Sequence, residues 1–561
     1  MKSGDDMDYK DKYKQWQDDA SLDLDMRSEL ESMDEDAIKE AFHADLSFGT
    51  GGLRGQMGVG TNRVNIYTIR KATEGFARYL QTEGLMDGVA IAYDNRRDSE
   101  TFALESGRVL AAHGIPSFIF PALRPTPMLS YAVRYYKASG GIMITASHNP
   151  KSDNGYKVYN ATGAQVNLDE AAAIIKAINQ IDDPFAIKTL DSSLIQWIGE
   201  DLERSYLDEV RSIRINDVDK TAVRIVYSPL HGTGGTVIPG LLRDEGYDIH
   251  SYDPQMIISP DFPNTRSSNP EEKEAFERPV AFAAEIGADL VMVTDPDADR
   301  LGIAVLHEDG YTLLSGNQTA VIELDYILNQ RQANNTLPDK GIIYTTNVTT
   351  DLVHVIAEAF GYPVVTTLTG FKFIGEQAWK NRQEGEYLFG CEESYGSLVK
   401  DFVLDKDAVQ AVYLLAEIAC HVKAKGMTLV DYLETIYKTY GHYHEYTENI
   451  KLAGLEGKQK IAEIMTRFRK DPPLLKGLTL KSFDDFKAGV RYENKQSSPL
   501  GLPSSDVLKF MYEEDTWMVL RPSGTEPKLK IYYGTKQADM AQARQHVNIL
   551  NQQMLAMIED R

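Results

Sequence analysis

The sequence predicts an α/β protein: three successive related α/β modules with mixed sheets plus a C-terminal α+β domain, around a central cleft. Three observations carry that reading. First, three apolar, β-branched runs each follow a helical stretch and end in a polar loop: GGIMITASHNP at 140–150, GADLVMVTDPDADR at 287–300 and GEYLFGCEESYG at 385–396. Second, each has two strand-like runs upstream: VAIAYDNRR at 89–97 and IPSFIFPAL at 115–123, VRIVYSPLHGTGG at 223–235 and YDIHSYDP at 247–254, GIIYTTNVTT at 341–350 and YPVVTTLTGFK at 362–372. Strands alternating with helical stretches make βαβ units and a parallel or mixed sheet. Third, the C-terminal part changes character: VLKFMYEEDTWMVLRPSGTEPKLKIYYG at 507–534 reads strand, turn, strand, loop, strand. In such sheets ligands bind beyond the carboxyl ends of strands, so polar loops from successive modules can share one cleft.

Taken in order, residues 1–42 are expected to form an N-terminal helical extension, rich in Asp, Glu and Lys. This segment lacks the apolar core of a secretory signal and the acid-poor character of a transit peptide, which points to the cytoplasm. Domain I is expected at 43–205 with the loop TASHNP, domain II at 206–318 with DPDADR, domain III at 319–445 with GCEESYG, and domain IV at 446–561 with RPSGTEP. The most apolar stretch, Ala411 to Val422, is broken by Glu417 and reads as a buried helix, so no membrane span is expected. In the last segment Met540, Ala543, Val547, Leu550, Met554 and Ile558 recur at helical spacing and are read as a core face.

A chain of 561 residues, 42% hydrophobic and 25% charged, is an ordinary globular protein of three or four domains. The 59 basic and 83 acidic side chains leave a net charge of −24, which argues against binding nucleic acid or anionic membrane through bulk electrostatics. Cys391 and Cys420 form neither a disulfide framework nor a CxxC pair, so a reducing compartment is favoured. Nothing calls for an obligate protein partner.

The chemistry lies in the loops. Asp295, Asp297 and Asp299 alternate, with Pro296 disfavouring helix, so an extended backbone would bring three carboxylates to one side. Their natural counter-charge is a hard divalent cation, and an all-oxygen set with room for phosphate oxygens suits Mg²⁺. An EF-hand fails, since Arg300 and Leu306 stand where Gly and Glu are needed. Arg300 adds a cation beside the three anions, suited to gripping a phosphate oxygen. Ser147 in TASHNP follows a buried-looking strand without a GxSxG elbow, so phosphoryl transfer suits it better than acyl transfer. His148, the next residue, is expected to point elsewhere; His442 and His444 have no zinc-ligand company. RPSGTEPKLK reads as a phosphate cradle, with Arg521 as a bidentate donor, the hydroxyls of Ser523 and Thr525, and Gly524 opening the backbone to an anion. Glu392 and Ser394 are a reasonable pair for adjacent sugar hydroxyls. GTGGLRG at 49–55 and HGTGG at 231–235 complete neither GxGxxG nor a Walker A motif.

Together and in this order, TASHNP, DPDADR, GCEESYG and RPSGTEP resemble the α-D-phosphohexomutase family, over nearly the whole chain. The fuller forms FGTGGLRG and TLTGFKFIG look most like its bacterial phosphoglucomutase/phosphomannomutase branch. The resemblance implies a phosphosugar mutase that moves phosphate between C1 and C6 of a hexose, glucose first, through phosphoserine and a hexose 1,6-bisphosphate. Mannose and pentose phosphates are the alternative substrates, and a Mg²⁺-dependent phosphatase or a non-catalytic sugar-phosphate sensor are the rival readings. It implies that Ser147 carries the phosphoryl group, that Asp295, Asp297 and Asp299 hold Mg²⁺ against it, and that Arg54 and Arg300 steady it. Glu392 and Ser394 would grip the sugar, Arg521, Ser523, Gly524 and Thr525 the non-reacting phosphate, and Lys157 and Lys372 would line the cleft. Gly396 stands where some bacterial members have histidine, which leaves the general acid/base to be sought. Lys157 is the candidate, as a lysine desolvated among cations can have a lowered pKa. A bisphosphate must reorient without escaping, so domain IV is expected to rotate as a lid.

Overall fold

Val89–Tyr93, Ser117–Ile119 and Gly140–Ile144 are apolar on both faces, as parallel strands covered by helices must be, and they pair in parallel. The structure, a computed structural model, describes residues 8–49, 51–452, 454–523 and 528–559. The sheet of the first module runs Phe48–Gly49, Gly52–Gln56, Asp153–Asn160, Gly140–Ile144, Val89–Tyr93, Ser117–Ile119, Ile195–Trp197. Asp153–Asn160 is antiparallel to both its neighbours, and its register sets Lys157 opposite Gly52 and Gly155 opposite Arg54. A Cβ on Gly155 would lie 2.6 Å from the Thr145 carbonyl oxygen and 2.8 Å from that of Leu53, so this close approach of three backbones requires glycine. Helix Ile66–Glu83 starts at an Asn65/Thr68 capping box, stops at left-handed Gly84, and lays Ile69, Phe76 and Leu80 on Ile91, Ile142 and Ile144.

The second module repeats the plan. Its sheet runs Gly310–Leu314, Leu301–His307, Leu290–Thr294, Arg224–Ser228, Asp248–Ser251, parallel across the last three and antiparallel across the first three. In both modules a buried parallel strand ends in the polar loop and the chain returns as its antiparallel neighbour. The loop is therefore anchored at both ends by the sheet core.

The chain divides into two compact units: one holds the described residues up to Ser315 with Phe371–Phe389 and Ser394–Thr428, the other Gly316–Gly370, Gly390–Glu393 and the described residues from Leu429. In the second, Gly341–Thr346 pairs in parallel with Val364–Thr367. The C-terminal domain is an antiparallel seven-stranded sheet, His442–Lys451, Lys528–Gln537, Thr516–Pro522, Leu508–Tyr512, Leu480–Asp485, Val490–Glu493, Gln496–Pro499. His442–Lys451, which spans the expected 445/446 boundary, pairs along its length with Lys528–Gln537. Val547, Leu550, Met554 and Ile558 of helix Met540–Glu559 enter the core of this domain, as their spacing predicts.

At the other end, Tyr9–Asp18, Leu24–Ser32 and Glu35–Phe42 are helices, the last two capped by Asp23 and Asp34. Trp16 meets Phe42, Tyr67 and Phe185 edge to face at 5.8, 5.4 and 5.2 Å, which fastens the segment to the first module. Truncating a buried ring of that size costs roughly 3–5 kcal/mol. Among the described residues no helix is long and apolar enough to cross a membrane.

Candidate active site

Strand Gly140–Ile144 delivers the chain to Ser147, whose φ of 51° lies in the left-handed region. The Ser147 N–H donates to Thr145 Oγ1 at 2.7 Å, and the Ser147 hydroxyl donates to Asp295 Oδ2 at 2.9 Å. The two loops expected to cooperate therefore meet. His148 does not point away: its Nδ1 is 3.2 Å from Ser147 Oγ. Alternation of side chains holds for extended backbone, and the left-handed turn at Ser147 breaks it. Burial and the nearby Arg300 and Arg54 guanidinium groups push the His148 imidazole well below its usual value, so it is neutral.

The aspartate loop also differs from the expected extended strand. It is a turn, with Ala298 left-handed at φ 51°, the Ala298 N–H on the Asp295 carbonyl at 3.0 Å, and the N–H groups of Asp299 and Arg300 both donating to Asp295 Oδ1 at 3.1 Å. The carboxylates still converge: Asp295, Asp297 and Asp299 are 0, 0 and 1% exposed, with one oxygen from each within 4.8 Å of the others. Each ionised pair at that distance repels by about 3.5 kcal/mol at an effective dielectric constant near 20. Burial, then Asp299 and Asp297, push the Asp295 carboxyl well above the usual range. Burial also raises Asp297 and Asp299, but Lys157 and Lys406 reverse the sign and hold both below it. Asp297 Oδ1 and Asp299 Oδ1 are buried and make no hydrogen bond among the described residues. Two orphaned carboxylate oxygens in an all-oxygen cluster fit a hard divalent cation such as Mg²⁺.

Cations frame the cluster. Lys157 Nζ is 2.8 Å from Asp297 Oδ2 and 3.4 Å from Asp299 Oδ2. Its pKa is therefore not lowered as expected: burial pulls it down, but Asp297 and Asp299 more than offset that and raise it. Arg54, partly buried and held on Asn149 Oδ1 at 3.0 Å, feels Asp297 most among the charges around it. Arg300 lies 3.9 Å from Asp299 Oδ1 and donates to Glu271 Oε1 at 2.5 Å. Two contacts were not expected from the sequence. Lys406 Nζ is 3.1 Å from Asp299 Oδ2, and Thr126 donates both its N–H and its hydroxyl to Asp297, each at 2.9 Å. The signal for Lys406 is LDKDAV ahead of an apolar helix: Asp407 caps Ala408–Lys423 and so fixes the lysine before it.

Of the remaining expected residues, Lys372 and Ser394 belong to the first unit, Glu392 and Arg521 to the second. Burial pushes Lys372 down to about 8, against a pull upward from Glu376. Glu393, beside Glu392, is pushed up to about 7 by burial and by Glu392, with Arg521 drawing it back. Arg521 Nη1 reaches the Tyr532 hydroxyl at 3.4 Å, and the Ser523 N–H donates to the Lys528 carbonyl at 2.7 Å. Gly524 and Thr525 lie outside the described residues.

Four family profiles match in sequence: phosphoglucomutase/phosphomannomutase alpha/beta/alpha domain I at 45–185, domain II at 204–309, domain III at 315–440, and the C-terminal domain at 455–549. A phosphoglucomutase of Staphylococcus aureus is 37% identical over 522 residues, covering 91% of this chain and 93% of that protein. In fold, a phosphoglucomutase/phosphomannomutase family protein from Burkholderia thailandensis is similar at a TM-score of 0.65 and 17% identity, covering 91% of this chain and 98% of its own. Parafusin, a phosphoglucomutase of Paramecium, in its open form, is similar at 0.66 and 18%, covering 92% and 96%.

Proposed function

The chain belongs to the phosphoglucomutase/phosphomannomutase family, and we propose that it is an enzyme interconverting hexose 1-phosphate and hexose 6-phosphate, with glucose as the hexose. One observation carries the mechanism: Ser147 Oγ stands 2.9 Å from Asp295 inside a buried trio of aspartates ringed by lysine and arginine.

In the first half-reaction the P–O bond to phospho-Ser147 breaks while a bond forms from phosphorus to the free hydroxyl oxygen of the bound sugar monophosphate. The product is a hexose 1,6-bisphosphate. Lys157, kept protonated by Asp297 and Asp299, enters as an acid: it supplies the proton that the released serine oxygen takes up and is reprotonated by the proton that the sugar hydroxyl gives up. After the sugar turns over, its original phosphate passes to Ser147: the P–O bond to the sugar breaks, a bond from phosphorus to the serine oxygen forms, the proton goes from the serine hydroxyl to the freed sugar oxygen, and the isomeric monophosphate is released. Asp295, Asp297 and Asp299 would hold Mg²⁺, which when bound polarises a phosphoryl oxygen and neutralises its charge. Arg54 and Arg300 steady the phosphoryl group. Glu392 and Ser394 hold the sugar hydroxyls; Arg521, Ser523, Gly524 and Thr525 hold the phosphate that does not react. Little covalent apparatus beyond the serine is needed, since positioning and charge dominate phosphoryl transfer. Two free, buried cysteines suit a reducing cytoplasm.

The test is a panel of glucose, mannose and pentose 1-phosphates, each with and without its bisphosphate, scored by kcat/KM. Highest turnover on glucose 1-phosphate, stimulated by glucose 1,6-bisphosphate, is the expected result; inorganic phosphate as the main product would replace the mutase reading with a phosphatase.

Lys372 adds a pH signature. At pH 7 its ammonium is charged, and the charge is lost as pH rises through about 8. A cation gripping a phosphate is thus present below that point and absent above it. KM for the hexose phosphate is expected to rise by roughly tenfold between pH 7 and 9, the fall in the ammonium fraction across a pKa of about 8, since a charge-assisted hydrogen bond is worth at least that factor. Lys372→Arg, charged throughout, should flatten the rise; a wild-type KM that stays level over that interval would take Lys372 out of the binding set.

A further inference from the structure

Arg96 is not among the residues that meet the phosphoryl group, yet it is 4% exposed and every hydrogen on its two terminal nitrogens is spent on one loop. Nη2 donates to the carbonyl oxygens of Ser147 and Asn149, both at 2.6 Å, and Nη1 to those of Pro150 and Asp153, both at 2.8 Å. The carbonyl between the first two, that of His148, is taken by the Ser268 hydroxyl at 3.0 Å. The Ser147–Asp153 segment is thus wrapped around a guanidinium ion. Arg96 is itself fixed: its Nε lies 3.2 Å from Asp94 Oδ2, its own N–H donates to Asp94 Oδ1, and its guanidinium faces the Phe262 ring at 5.5 Å. Asp94 in turn accepts from the hydroxyls of Thr145 and Ser99, and Thr145 Oγ1 is the acceptor of the Ser147 N–H.

We propose that Arg96, seated on Asp94, is a positioning residue for phosphoryl transfer: it holds Ser147 in its left-handed conformation and turns the loop's carbonyl oxygens inward, away from an incoming phosphate. The inference rests on the reading of Ser147 as the phosphoryl carrier and extends it to a residue that touches neither metal nor sugar. Two physical points favour it over a purely structural role. A left-handed non-glycine residue is strained and persists only where its surroundings over-determine it, and here one side chain supplies four of the loop's restraints. A planar fork with four terminal N–H groups can span four carbonyls, whereas the three donors of an ammonium radiate from a single atom. Lysine at this position keeps the charge and loses the geometry.

The experiment compares wild type, Arg96→Lys and Asp94→Asn as full-length protein. Measured are melting temperature, kcat and KM for hexose 1-phosphate at saturating bisphosphate, and the rate at which label from ³²P-hexose 1,6-bisphosphate enters residue 147. Arg96→Lys is expected to lower kcat by about 100-fold, the penalty of misplacing a reacting atom by about 1 Å, with the labelling rate falling in parallel and KM changing less than about threefold. Asp94→Asn, which keeps the shape but loosens the seat, should lower kcat by roughly tenfold with the same KM signature. A lowered melting temperature with kcat per folded molecule within about threefold of wild type overturns the proposal; should Arg96→Lys fail to fold, Asp94→Asn decides alone by the same criterion. A wild type that turns over without labelling Ser147 overturns the serine relay itself, an outcome separate from either variant's.

Discussion

Ser147→Ala is expected to abolish mutase turnover, with kcat lower by a factor on the order of 10⁴ or more and no recovery on adding hexose 1,6-bisphosphate. The substitution removes one oxygen from a residue 3% exposed and leaves the Thr145 and Arg96 restraints on its backbone in place, so the protein should fold and bind sugar phosphate with little change. What disappears is the atom that leaves and receives phosphorus. Without it, the monophosphate has no donor and the bisphosphate no acceptor. Intact-mass analysis should show the phosphoryl increment on wild type and none on the variant. Normal turnover by Ser147→Ala would remove the covalent relay from the account.

The parallel core of the fold was legible because buried strands write themselves as continuous apolar runs. Val89–Tyr93, Gly140–Ile144 and Leu290–Thr294 have no polar position to confuse with a helix face except the terminal Tyr and Thr. The strands that run back beside them were harder. Asp153–Asn160 carries Asp, Asn and Lys because one of its faces serves the site, and His442–Lys451 is polar at most positions and only partly buried, so neither has the composition of a core strand. The third module gave its strand pattern away but not the division of its residues between two compact units, which depends on packing rather than on periodicity.

The site was legible as residue types and misread as local geometry. Ser147 and the aspartates were found by chemistry and spacing, but the positive φ angles at Ser147 and Ala298 carry no glycine or asparagine to announce them. That hidden turn is why His148 reaches Ser147, and why Asp295 is both a member of the trio and the acceptor that closes its loop. Lys406 escaped because a charge next to a helix cap ordinarily faces water; only the tertiary fold sets it 3.1 Å from Asp299. The pKa of Lys157 was misjudged for the same reason, since its nearest charges are anions from a loop more than a hundred residues away in sequence.

Asp297→Asn should cost nearly as much activity as the serine change, and its metal response distinguishes a cation site from an acidic cluster. The amide keeps the shape and can still accept from Thr126, but it removes the charge that Lys157 faces at 2.8 Å and offers a neutral oxygen where Oδ1 has no hydrogen bond. In wild type, Mg²⁺ bound only to the folded state at 100 times its Kd adds about 2.7 kcal/mol of stability, a gain read as a rise in melting temperature and reversed by EDTA. The variant should show little or no rise at the same Mg²⁺ concentration and a kcat lower by roughly 10³ or more. Without metal the sign differs between positions. The folded protein holds the Asp297 carboxyl below its usual range, so its charge contributes stability above the unfolded pKa that is lost as pH falls through the folded one, and Asp297→Asn should lower the metal-free melting temperature at pH 7. Asp295 is shifted the other way by burial and by its two neighbours, and its Oδ1 accepts two N–H groups that an amide oxygen also satisfies. Asp295→Asn should therefore leave the metal-free melting temperature unchanged or raised while abolishing the Mg²⁺ response. Equal Mg²⁺-induced shifts in wild type and both variants would place the cation elsewhere.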